Sequence, residues 1–367
     1  MSQKKKLIGR RHFLKHAAVG VAASATFGPV YAQTNKRVRW RMATSWPKLL
    51  DTIYGGAELL ARRVKELTEG RFIIEVHPGG ELTPALEVLD AVRKGKVEMG
   101  HTASYYYTRL HPAFAFGTAL PFGLTPRQQN AWLLQGGGQE LLNRELYDQY
   151  GVLGFAAGNT GVQMGGWFRF PVDRIEDIRG IRMRIPGLGG QVMKSLGVRT
   201  MALPGAQIVP ALKDGALDAA EWIGPYDDEK LGFYEAARYY YYPGWWEPGT
   251  TIHAFVNQRA WNRLPATFKS ALEAAASEAN TRILADYDQK NPQALERLLK
   301  KGVQLRPFSN DFLSLAFRES EALTQGIAAE NPLYAKIYEH WNRHRVYAFR
   351  WFSTNESLYA RFTFDHF

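Results

Sequence analysis

The chain has 367 residues, with 46 Lys and Arg against 35 Asp and Glu, a formal net charge of +11, and no cysteine. The lack of thiols excludes disulfides, thiolate zinc sites, iron–sulfur clusters and cysteine nucleophiles together. At 46% hydrophobic and 13% aromatic the chain can bury a large core, and its length predicts two lobes.

Lys4, Lys5, Lys6, Arg10, Arg11 and Lys15 precede a small apolar run from Ala17 to Phe27 and the closing Val30-Tyr31-Ala32. Paired arginines followed by His12-Phe13-Leu14-Lys15 predict a twin-arginine signal over residues 1–32, with Gly9 where Ser or Thr is commoner. The apolar run is too short to span a bilayer permanently. These six basic residues come with no acid, so the rest of the chain carries about +5 of the +11. That is too mild for a nucleic-acid partner, which requires a concentrated basic face. The expected location is the periplasm.

Beyond the leader, Val38–Ala43 predicts a strand, and Pro47 and Asp51 introduce a helix. Its apolar positions Ile53, Ala57, Leu60, Ala61, Val64 and Leu67 follow a 3.6 period, and Gly70 stops it. A strand at Phe72–Val76, a helix from about Thr83 to Lys94 and a strand at Val97–Gly100 follow. Short links between them imply a parallel sheet with right-handed crossovers. The helix–Gly–strand junction Ala91–Met99 is paralleled by Ala211–Ala219. With strands at Val152–Ala157, Trp167–Phe170 and Arg182–Ile185, this predicts an α/β fold of two related lobes, the crevice between them being the default ligand site. The expected boundaries are 33–157 for lobe I, with later segments returning to it, and 158–260 for lobe II. Long helices over 261–330 span or cover the lobes, and a C-terminal helix occupies 331–367. Leu333, Ile337, Trp341, Tyr347, Phe349 and Trp351 cover more than one face of that last helix. Such a surface is either core or subunit contact.

The chemistry gathers in four places. The loop Asn159–Trp167 is Gly-rich and polar, but it lacks the Lys and the spacing of a phosphate loop. Arg182 and Arg184 lie two apart before Ile185-Pro186-Gly187, and an Arg at a strand end facing a crevice suits bidentate carboxylate capture, or else a surface ion pair. Glu221-Trp222 and Trp245-Trp246-Glu247 each set an acid beside a Trp. Such acids, with a Gln amide oxygen, suit a hard cation, or else they pair with arginines. His77, His101, His111 and His253 are scattered, which gives little support to an exported metal-dependent lyase or aldolase acting on oxo acids. A solute-sensing partner of a receptor would share the fold and pocket.

The leader, Thr44-Ser45-Trp46-Pro47, Arg184-Ile185-Pro186-Gly187 and Gly215–Gly224 resemble the substrate-binding subunits of tripartite ATP-independent periplasmic (TRAP) transporters, over essentially the whole chain beyond the leader. Gln163, Glu221–Asp228 and Trp245-Trp246-Glu247 resemble the subgroup that binds 2-oxo or 2-hydroxy monocarboxylates with a metal ion. The resemblance implies a two-lobed periplasmic binding protein with a hinge, an inter-lobe cleft and long C-terminal helices, and no catalytic activity. It implies that Arg184 clamps the ligand carboxylate, and that Gln163, Glu221, Glu247 and the Trp222 carbonyl hold Na⁺ or Ca²⁺. It also implies ligand hydrogen bonds from Asn159, Tyr105 and Tyr106, delivery to the small and large permease subunits, and a homodimer through the helix at Leu333–Phe352. Two glutamates and a monocarboxylate sum to −3, which Arg184 and a divalent cation cancel. A monovalent cation leaves −1 unless Arg182 or a proton removes it, so the count leans towards Ca²⁺.

Overall fold

The computed structural model describes Lys36–His366; the leader at 1–32 lies outside the described residues. The first half of the chain supplies four strands of a five-stranded sheet, β1 (Val38–Thr44), β2 (Phe72–His77), β3 (Met99–Thr102) and β4 (Val152–Asn159). Helix α1 (Ile53–Leu67) joins β1 to β2, and the short α2 (Val88–Arg93) leads to β3. The expected helix from Thr83 is thus only its second half, because Glu87 N–H bonds to Pro84 O and closes a turn first. In α1 the predicted stripe is buried from Ile53 to Val64, while Leu67 faces solvent.

The second sheet contains β5 (Trp167–Phe168), β6 (Arg182–Arg184), β7 (Arg199–Met201), β8 (Ala219–Ala220) and β9 (Tyr239–Tyr242). Helices α3 (Gly205–Lys213) and α4 (Pro225–Leu231) flank β8. The repeated junction is visible in the backbone. Gly95 and Gly215 have φ of 70° and 72°, the left-handed region that glycine enters freely, and each ends a helix just before a strand.

Two strands depart from the expected ranges. β10 (Thr251–Asn257), in the stretch assigned to lobe II, lies in the first sheet, whose order is β2-β1-β3-β10-β4. It pairs antiparallel with β3 and β4, so that sheet is mixed, not parallel throughout. The chain re-enters there from the second lobe without a helical crossover, which removes the constraint favouring parallel pairing. β11 (Gln304–Pro307), in the stretch assigned to helices, pairs with β9 at the edge of the second sheet, whose order is β11-β9-β5-β8-β6-β7.

The 35-residue helix α5 (Ala266–Lys300) packs on α1, β4 and α4 and so touches both lobes. Helices α6 (Asn310–Glu330), α7 (Pro332–Thr354) and α8 (Glu356–Phe364) complete the chain. Tyr334, Ile337 and Trp341 of α7 join the core around Phe116 and Trp132. Its later residues Tyr347 and Trp351, and Leu358, Tyr359, Phe362 and Phe364 of α8, are exposed. The aromatic surface of the last helix is therefore divided: core at its start, open face at its end.

Candidate functional site

The chain leaves the first sheet at Asn159 and returns at Thr251, and the two passages are tied by a Thr160 N–H to Thr250 O bond of 3.0 Å. The loop between Asn159 and Trp167 is stitched on both sides. Met164 N–H bonds to Ile223 O, while Gln163 N–H reaches Glu247 O and Gly244 N–H returns to Gln163 O at 2.9 Å. A Cβ on Gly244 would stand 2.4 Å from Gln163 O, so this close approach requires glycine. These bonds bring Gln163, Glu221, Trp222 and Glu247 together from segments up to 84 residues apart.

Arg184 ends β6 opposite Ala220 of β8, which sets its guanidinium beside Glu221. Nη1 donates to Glu221 O at 3.0 Å and pairs with Glu221 Oε1; Nε donates to Leu203 O at 3.1 Å. Arg184 also lies over the Trp222 ring, 5.1 Å from its centroid. Arg182 is occupied elsewhere, making a bidentate pair with Asp218 at 2.9 and 2.8 Å. It is not available to balance charge at the site.

Arg184, Glu221, Gln163 and Glu247 are each at most 4% exposed. Four polar atoms in this neighbourhood are buried without a protein partner: Arg184 Nη2, Glu221 Oε2, Gln163 Oε1 and Trp222 Nε1. Buried polar groups are nearly always hydrogen-bonded, and an orphan costs about 1–3 kcal/mol. Four orphans together therefore mark a place for something polar. Burial raises the Glu221 carboxyl well above its ordinary range; Arg184 opposes that and Glu247 adds to it. Burial likewise lifts Glu247 to about 7, against the Thr250 hydroxyl that donates to it at 3.0 Å. A cation beside these two carboxylates would supply the charge that burial denies them. Among the described residues no group of three or more His, Asp or Glu could hold a metal. A donor set here has to mix carboxylate and amide oxygens, which is hard-cation chemistry.

Beside these groups lies a small cavity, with about 10 Å³ open to the centre of a water-sized sphere. Gln163, Arg184, Trp222, Thr160 and Thr250 form its polar wall, and Tyr105, Tyr106, Trp46, Ile53, Ala103 and Ile252 its aromatic and apolar wall. Glu221 and Glu247 stand directly behind the first wall. Tyr105 and Tyr106 meet edge to face at 4.8 Å, and burial raises both phenols. Asn159 is not part of the lining. Its Nδ2 reaches Gly249 O and Thr251 Oγ1, and its Oδ1 accepts from Gly161 N–H, so it braces the passage between lobes. The ligand hydrogen bond that the resemblance implies for Asn159 is not among these contacts. Trp46, Ile53, Ala103, Thr160, Thr250 and Ile252 were not legible as site residues, since only Thr250 carries a chemical sign, its place three residues after Glu247. His340 and His344 stand four apart on α7, a metal-pair spacing that the scattered-histidine reading overlooks. His340 accepts from Trp132 Nε1, and His344 lies 3.3 Å from Gln128 O.

The profile of the bacterial extracellular solute-binding proteins, family 7, matches residues 42–331. A monocarboxylate 2-oxoacid-binding periplasmic protein of Nostoc is 48% identical, over 96% of this chain and 98% of its own length. A TRAP transporter solute-binding protein of Bordetella bronchiseptica, a mixed-occupancy dimer with copurified calcium and picolinate, is 45% identical with a TM-score of 0.89, over 90% of this chain and 98% of that one. One from Pseudoalteromonas atlantica, holding sodium and pyruvate, is 36% identical with a TM-score of 0.86, over 89% and 99%. A third, from Colwellia psychrerythraea with calcium and pyruvate, is 34% identical with a TM-score of 0.86, over 90% and 100%.

Proposed function

The chain belongs to the bacterial extracellular solute-binding proteins of family 7, and from that premise we propose that it captures a 2-oxo or 2-hydroxy monocarboxylate with Na⁺ or Ca²⁺ and delivers it to TRAP membrane subunits. Members of this family bind substrate for transporters and are not enzymes. The observation that carries the reading is that Arg184 and Gln163, which line one small cavity, each keep a buried polar atom unpartnered, as does Glu221, which is paired with Arg184. In this proposal Arg184 turns its free Nη2 to the ligand carboxylate. Gln163, Glu221, Glu247 and the Trp222 carbonyl hold the cation, whose charge offsets the two buried glutamates. Tyr105 and Tyr106 close the ligand from the first lobe.

Location and assembly complete the proposal. Among the described residues no helix is long and apolar enough to cross a membrane. Family and relatives are extracytoplasmic, and Arg10-Arg11 with Phe13-Leu14-Lys15 assigns export to the twin-arginine route. The exposed aromatic end of α7 and α8 is proposed as the contact of a homodimer. Light scattering should report twice the chain mass, and Trp351→Glu combined with Tyr359→Glu should halve it; a monomeric parent protein would reject the dimer.

Binding is tested by tryptophan fluorescence of the leader-free protein, titrated with pyruvate, lactate and longer 2-oxo acids, with and without chelator and Na⁺. Trp46 and Trp222 line the cavity, so saturable quenching with no product formed is expected. Loss on chelation assigns a divalent ion, and dependence on added Na⁺ a monovalent one. A flat response to every acid would sink the ligand class.

A further inference from the structure

The cavity wall is divided between the lobes and its polar groups are almost completely buried, so no acid can reach Arg184 unless the two walls part. Any bond that bridges them beside the cavity must break on entry and re-form on capture. One such bridge is fully buried. Thr52, immediately before Ile53 of α1, donates its Oγ1 to Asp227 Oδ1 at 2.5 Å. Asp227 lies in α4, four residues beyond Ile223 of the opposite wall. Its other oxygen accepts from Tyr287 OH at 2.7 Å, and Tyr287 belongs to α5, the helix that touches both lobes. Thr52, Asp227 and Tyr287 are each at most 2% exposed.

We infer that Thr52 and Asp227 form a closure latch, positioning residues that hold the two cavity walls together around the captured acid without touching it. This deepens the proposed function and rests on its reading of the cavity. A buried carboxylate is costly unless donors satisfy it, and here one donor comes from lobe I and one from the spanning helix. Only the closed arrangement supplies both, so the cost of an incompletely paired Asp227 falls on the open form. Asp51 repeats the bridge at the surface, with Tyr226 OH at 3.0 Å and the ammonium groups of Lys230 and Lys290. Exposed pairs of that kind contribute little, which leaves the buried bond as the effective one. The segment Tyr226-Asp227-Asp228 belongs to the stretch that carries the family resemblance, yet Asp227 has no part in the proposed ligand or cation contacts.

The test compares Thr52→Val, Asp227→Asn and the double variant by stopped-flow binding of pyruvate, with iodide quenching of the ligand-free proteins alongside. Loss of one hydrogen bond to a charged acceptor predicts that Thr52→Val raises the dissociation rate about tenfold and leaves the association rate near the parent value. Iodide should reach Trp46 and Trp222 more readily in the variant, and Thr52→Val should add less in the Asp227→Asn background than alone. Parent-like dissociation rates and quenching would overturn the latch, whatever the melting temperature does, because a purely structural bond lowers stability without changing either. If the parent protein binds no 2-oxo or 2-hydroxy acid, the ligand reading fails on that result, and the quenching comparison alone decides the latch.

Discussion

Arg182 and Arg184 share one strand and one residue type, and their surroundings give them different work. Arg182 is half-exposed and satisfied by Asp218, whereas Arg184 is buried and keeps Nη2 free. Gln163 is divided in the same way, its Nε2 bonded to Thr160 Oγ1 at 3.0 Å and its Oε1 open. Gln163→Leu should therefore weaken acid binding at least tenfold in a titration at fixed cation. The melting temperature should fall by no more than about 4 °C, since one net hydrogen bond is worth about 1 kcal/mol. The residues with distinctive chemistry were legible in the sequence: Arg184, Gln163, Glu221, Trp222 and Glu247 stand together as their types suggest. Trp46, Ile53 and Ile252 were not, because an apolar side chain has the same signature whether it faces a core or a cavity. Asn159, a polar residue in a polar loop, bonds to Gly249 O, Thr251 Oγ1 and Gly161 N–H, partners that its type does not foretell.

Among the elements, those governed by local rules were read well. α1 starts two residues after Asp51, β2 is displaced by one residue at its end, and α5 (Ala266–Lys300) and α6 (Asn310–Glu330) fall within the 261–330 expected to be helical. β10 and β11 depend on partners far away in the chain, and strand formation is mainly a matter of such partners. Their residues gave no local sign of which sheet would take them. The loop at Gln163 is also a product of distant pairing, and its tolerance is testable. Gly244→Ala must displace the Gln163 carbonyl or its own segment, since the added Cβ would lie 2.4 Å away. A roughly tenfold or greater loss of ligand affinity is expected, whereas Gly326→Ala, with open space around the new Cβ, should bind like the parent. Equal affinities in the two variants would show that the loop yields without cost.

At the scale of the whole molecule, buried acids set the pH response. Burial lifts Asp227 to about 6 and Asp228 to about 7, from an ordinary 3.8, and the hydroxyl, indole and backbone donors around them only moderate it. Between 3.8 and 7 the folded chain retains protons that the unfolded chain has released, so these groups make stability fall as pH rises through that window. Asp218 acts in the opposite sense: its bond to Arg182 holds it below 3.8, and its contribution disappears on further acidification. Ligand-free melting temperature should peak near pH 4, decline to about pH 7 and then level off, and Asp228→Asn should flatten the decline; a parent profile that rises from pH 4 to pH 7 would refute the assignment. The two adjacent passages between lobes, tied at Thr160 and Thr250, carry a further consequence. A rotation about that tie moves distant walls most and nearby groups least. Gln163 and Glu247 each lie three residues from the tie and are bonded to each other, so a rotation about it carries them as one body. On the proposed reading of the site, the cation would therefore meet Gln163 and Glu247 already side by side before the walls close on the acid.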